Sequence, residues 1–141
     1  MSVATDISKG QLETKLWELT KPANPAKHNE EKAIDVIAVH GLNGERDASH
    51  WRNPDGSLWL RDLLPKDIRH ARVYELTYDP KELFAQLTDG VTSVVHVLLA
   101  RLQVARESIP KSRPVVFVAH GFGGFLVEQV GSVGFVSDVH C

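Results

Sequence analysis

The 141-residue chain has a single cysteine, Cys141, at its last position. One cysteine excludes a disulfide framework. Long apolar runs are also missing. The densest, residues 94–100, contains His96 and is far too short to cross a bilayer. The first ten residues lack an apolar core, so no secretory leader is expected there. Basic charge is not in excess: 16 Lys and Arg against 18 Asp and Glu give a formal net charge of −2. With no basic cluster interleaved with aromatics, a nucleic-acid surface is not expected. The apolar share of 43% is that of a globular domain, and the length is enough for one core.

The organisation follows from what remains. Residues 1–32 read as a tail with room for an edge strand and a loop. Within it, residues 12–20 fit a strand or one short helix, and residues 21–32 hold Pro22 and Pro25 among five charges and His28. The run Ile34-Asp-Val-Ile-Ala-Val39 fits a strand buried on both faces, as in a parallel sheet. Asn53-Pro-Asp-Gly56 is a turn, because proline presets one backbone angle and glycine accepts a positive one. A short helix over residues 58–64, capped by Ser57, is expected to stop at Pro65. Residues 72–78 alternate as a strand.

Asp79-Pro-Lys-Glu82 then predicts a helix start. Asp79 is the N-cap, Pro80 fits the first helical position, and Glu82 completes a capping box. Apolar residues at 84, 87, 91, 94, 95, 98, 102, 105 and 109 form a helical stripe, which Gly90 is expected to bend or divide. A strand over residues 115–119 and a helix over 122–130 follow. Strand and helix alternate from residue 34 onward, which implies an α/β fold with a parallel sheet. Function in such a sheet sits at the carboxyl ends of the strands.

One of those ends is the most informative part of the chain. Pro114-Val-Val-Phe-Val-Ala-His-Gly-Phe-Gly-Gly124 reads as a buried strand passing through a glycine-rich turn into a helix. That is the setting of the G-x-S-x-G nucleophile elbow. Here the five positions are Ala119, His120, Gly121, Phe122 and Gly123, and the nucleophile position holds Gly121. Glycine has no hydroxyl with which to attack a carbonyl.

With Val39-His-Gly-Leu-Asn-Gly44, Trp59-Leu-Arg-Asp-Leu-Leu-Pro65, Ala71-Arg-Val73, Thr77-Tyr-Asp79 and Phe117-Val-Ala-His-Gly-Phe-Gly-Gly124 in this order, the chain resembles the lipase-like α/β-hydrolases. These include serine-active-site lipase-like proteins of mitochondria and endoplasmic reticulum, and the N-terminal domains of fungal NACHT-type receptors. The resemblance covers residues 34–129. It implies the N-terminal part of an α/β-hydrolase fold, over residues 33–130, with a mostly parallel sheet and helices on both faces. It further implies that the fold is incomplete, with residues 131–141 expected as an atypical tail.

For function, the resemblance implies hydrolysis of a carboxylic ester or lipid acyl group. Gly41 and Leu42 after the first core strand, with Phe122 after the nucleophile position, correspond to the oxyanion hole, where backbone N–H groups face the developing negative charge. His120 corresponds to the elbow histidine and is not the triad base. The triad acid and histidine follow the nucleophile in this fold, and the chain runs only twenty residues past Gly121, so both are expected to be absent. The expectation is an inactive fragment of a serine hydrolase. The other reading is a non-catalytic interaction or regulatory module of the NACHT-associated kind. No cofactor is implied. A partner protein or self-association is expected through the sheet edge left without its next strand. The cytoplasm is the default compartment, and the relatives add mitochondrial or reticulum membranes.

Plainer readings stand beside these. His40 and His120 could share a metal, but no third ligand has a clear place, and both fit ordinary turn histidines. Asp138 and His140 sit too close in sequence for triad partners drawn from separate loops. Arg101, Arg106, Lys111 and Arg113 read as a solvated helix end. Trp51 and Trp59 read as packing residues.

Overall fold

The computed structural model describes residues 14–20, 33–42, 51–68, 70–85, 88–107 and 112–132. Four strands form one mixed sheet, in the order β1-β3-β2-β4. They are β1 (Lys15–Glu18), β2 (Ile34–Val39), β3 (Ala71–Thr77) and β4 (Val115–Ala119). The segment 12–20, open to strand or helix on periodicity, contributes β1, antiparallel to β3. The β2–β3 and β2–β4 pairs are parallel, so the three strands read from sequence form the parallel part. Central β2 is buried along most of its length, as its apolar run requires.

Alternate residues of the strands feed two cores. On one face Ile37, Val39, Tyr74 and Leu76 pack against Leu83, Val94, Val95, Leu98, Leu102, Leu126 and Val130. Those partners come from α3 (Pro80–Ala85), α4 (Thr88–Ala105) and α5 (Phe122–Ser132). On the other face Val36, Ala38 and Val73 pack against Trp51, Leu58 and Leu60. The two short helices here are α1 (Trp59–Asp62) and α2 (Leu64–Asp67). Trp51 and Trp59 meet edge to face at 6.1 Å, as packing residues.

Several boundaries differ from the sequence expectation. Pro65 does not end the helix after Leu58. It sits in the first turn of α2, where its missing N–H costs nothing. Ser57 does not cap α1; its hydroxyl turns back to Asp55, and the Leu58 N–H is held by Asp62 at 2.9 Å. Asp79 does cap α3, accepting the Lys81 N–H at 2.9 Å. The Glu82 side chain lies outside the described ones, so the capping box is untraced. The apolar stripe is shared by α3 and α4 and not carried by one helix. Gly90 lies within α4 where the two helices touch, against the Leu83 carbonyl. Helix α5 runs on to Ser132, two residues beyond the expected end.

The basic stretch also needs correction. Arg106 and Arg113 are not solvated; both turn inward onto Asp35, which is 1% exposed. Arg72 joins them with Nε and Nη2 on the two carboxylate oxygens, at 2.7 and 2.8 Å. Further guanidinium N–H groups of the three arginines donate to the carbonyls of Ala105, Arg113, Ile34 and His70. One buried carboxylate thus ties together the amino ends of β2, β3 and β4 and the end of α4. Arg101 is exposed, and Lys111 lies outside the described residues.

Candidate functional site

The β2–β4 register sets Val39 beside Ala119. The next residues of each strand therefore come together: His40 and Gly41 on one side, His120 and Gly121 on the other. The His120 N–H donates to the Val39 carbonyl at 3.0 Å and carries the ladder one step past β4. The chain then reverses. Gly121 has φ +56°, in the left-handed region where a Cβ is strained. Bonds from Gly123 N–H to His120 O and from Gly124 N–H to Gly121 O, each 3.0 Å, close the turn as α5 begins.

This is a strand–glycine turn–helix joint with its tip at Gly121. Among the described residues, a Cβ built at that position would meet only the Gly41 Cα, in van der Waals contact at 3.8 Å. Position 121 therefore faces the β2 turn. Gly41 is itself covered by His120: a Cβ there would stand 3.0 Å from the His120 carbonyl and 3.3 Å from its Nδ1. The exposed imidazole of His120 thus leans across onto Gly41. Beneath the tip, Gly123 rests on the end of β2, where a Cβ would strike the Val39 carbonyl and stand 2.7 Å from that of His40.

His40 has a different part. Its ring is 1% exposed and stacks on Tyr78 at 4.2 Å and 10°. Its Nδ1 faces the Gly41 carbonyl at 2.6 Å and so carries the proton, while Nε2 faces the Tyr78 N–H at 3.4 Å. The Tyr78 hydroxyl donates to the His40 carbonyl at 2.7 Å. Burial pushes that hydroxyl up to about 12, so it remains a donor at physiological pH. Three contacts thus clamp the β2 turn onto the end of β3. The two turn histidines follow matching positions at the ends of the paired strands β2 and β4 but differ in role, since one is internal and the other faces solvent. Among the described residues, no group of three His, Cys, Asp or Glu could hold a metal ion.

An aromatic rim flanks the tip. Phe122 lies 5.5 Å from Phe84 and 5.2 Å from Phe125, centroid to centroid. Phe84, Phe125 and Leu42 are all exposed, whereas Phe122 packs partly into the core. As the first residue of α5, Phe122 has an N–H with no partner inside its helix. Among the described residues, what the joint offers chemically is backbone N–H, one exposed imidazole and apolar surface, with no hydroxyl or thiol at its tip. The Tyr78 clamp and the Phe84 rim are not legible as site features in the sequence; only the place of Tyr78 in Thr77-Tyr-Asp79 pointed that way. Asp138 and His140 lie outside the described residues. No protein-family model matches the chain, and no curated protein or solved structure matches it either.

Proposed function

We propose that the chain is the N-terminal half of an esterase- or lipase-like serine hydrolase domain that no longer hydrolyses esters. The reading is carried by one observation: a strand, a left-handed glycine turn and a helix meet at Gly121, where the nucleophile of such a domain would stand. In that chemistry a serine attacks the acyl carbonyl, a histidine takes its proton, and two N–H groups hold the oxyanion. The proposed remnant is the Leu42 and Phe122 N–H pair beside the apolar rim. The purified chain is expected to hydrolyse p-nitrophenyl acyl esters no faster than buffer. Turnover well above buffer that disappears in His120→Ala would overturn this.

Restoring the hydroxyl alone is not expected to restore the chemistry. A serine without a base is barely nucleophilic. On this reading neither turn histidine serves as the base: His40 is shut in against Tyr78, and His120 is the elbow histidine, its ring held over Gly41. Gly121→Ser should therefore label with a fluorophosphonate no more than the wild type does. It should also lower stability by about 1–2 kcal/mol, because a Cβ is forced into the left-handed region. Strong labelling of the variant would show that a base is present.

A second reading, a non-catalytic interaction or regulatory module of the kind at the N-terminus of NACHT-type receptors, is favoured by the outer edge of β4, which no described residue pairs with and which on this reading takes a partner protein or a second copy. A helix long and apolar enough to cross a membrane is not found among the described residues.

A further inference from the structure

The two edges of the sheet are unlike. The β1 edge is four residues long and carries exposed Lys15 and Glu18, which discourage pairing with another strand. The β4 edge is Val115-Val-Phe-Val-Ala119, with no charge, proline or bulge. Its composition is that of a strand flanked on both sides, yet it stands last in the sheet. Among the described residues nothing pairs with its outer side.

The direction of each backbone group on β4 is known. Asp35 N–H donates to the Pro114 carbonyl, and the His120 N–H donates to that of Val39. In a parallel ladder alternate residues face the partner, so Val116, Val118 and His120 point toward β2. Val115, Phe117 and Ala119 therefore turn their N–H and C=O outward. Unpaired edge groups of this kind are a template for another strand.

We infer that β4 pairs antiparallel with β4 of a second copy about a two-fold axis at Phe117. The register is the one that sets outward residues against outward residues. Phe117 meets its own counterpart, and Val115 meets Ala119 of the other copy. Each such pair exchanges two N–H···O bonds. Val116 and Val118 then lie opposite each other on the far face, and Phe117 forms an aromatic cross-strand pair on the near one. No charge on the strand faces its own image, so the edge is complementary to itself, as a two-fold contact requires. A single continuous eight-stranded sheet results, with β1 at both ends. The inference deepens the interaction-module reading by naming a second copy as the occupant.

Ala119→Pro tests it with little risk to the fold. Ala119 is exposed, its N–H points away from β2, and proline is tolerated on an edge in that orientation. It removes an outward donor at both ends of the two-fold contact. In sedimentation at micromolar concentrations the wild type should have twice the 15.6 kDa mass of the chain. Ala119→Pro should sediment as a monomer with an unchanged far-ultraviolet spectrum. A wild-type monomer, a dimer that survives Ala119→Pro, or an open-ended aggregate would each overturn the inference. If the wild type is a monomer, amide exchange at Phe117 decides about the parent reading. Fast exchange shows an open edge, which the interaction module needs, and slow exchange shows a covered one, which ends that reading too.

Discussion

Asp35→Ala is expected to cost about 3–5 kcal/mol, enough to bring a domain of ordinary stability close to unfolding. The reason is the imbalance it leaves. Arg72, Arg106 and Arg113 share this one carboxylate, and their side chains are only 18%, 13% and 10% exposed. Removing the anion strands three guanidinium groups that cannot reach water freely. Among the described residues no second carboxylate forms an ion pair with them. Urea denaturation should show a lower midpoint with an unchanged slope. Each single arginine variant should cost less than Asp35→Ala, because the other two still satisfy the carboxylate. If Asp35→Ala unfolds at the wild-type midpoint, the cluster contributes nothing.

The same group sets the acid limit of the fold. Burial pushes the Asp35 carboxyl up, but hydrogen bonding to Arg72 and the charges of Arg72, Arg113 and Arg106 together hold it below its ordinary value of 3.8. A carboxyl whose folded value lies below its unfolded one contributes stability that is present above about pH 3.8. That contribution is lost as pH falls through the folded value. The wild type should therefore lose this contribution only below pH 3.8, and Asp35→Ala should lack that part of the acid transition. A transition of the same size in both proteins would mean that other carboxyls carry it.

Asp35 also shows where the sequence was readable. The strands β2 and β4 stand in it as apolar runs of the right length; β2 is buried on both faces and needs no alternation, whereas β4, expected to be buried as well, is only half-buried at residues 116–118 and exposed at Ala119 because it stands last in the sheet. A charged residue inside such a run, as in Ile34-Asp-Val-Ile-Ala-Val39, requires a buried partner, and that was the available signal for the cluster. Its partners lie 37, 71 and 78 residues away in sequence, and no local pattern names them. Arg106 and Arg113 therefore looked like surface charge. The stripe over residues 84–109 allows a division, which the sequence suggests at Gly90; the helices instead separate before Thr88, because periodicity survives a break that keeps both pieces on one face and so does not say where the break falls. At the site, the Gly121 turn was legible from its glycines. The closing of His40 against Tyr78 was not, because it depends on how far β3 runs beside β2.

Gly123→Ala is expected to be the most disruptive conservative change at the joint. Elsewhere in a helix, glycine to alanine stabilises by roughly 0.5–1 kcal/mol. Here the added methyl would strike the Val39 carbonyl and stand 2.7 Å from that of His40. Neither oxygen can yield alone. The Val39 carbonyl accepts the His120 N–H, and the His40 carbonyl accepts the Tyr78 hydroxyl at 2.7 Å. Moving either one opens the ladder between β2 and β4 or the clamp onto β3. Lifting α5 instead would draw Leu126 and Val130 out of the core. Overpacking against fixed backbone lies at the upper end of its usual range, so a loss of about 3 kcal/mol is expected. Gly124→Ala is the matched control, since a Cβ there meets no described residue within 4 Å. That variant should be as stable as the wild type or slightly more so. Thermal melts of the two variants side by side are the measurement. Equal melting temperatures would mean that α5 does not rest on the end of β2, and the joint at Gly121 would lose the floor that holds its tip in place.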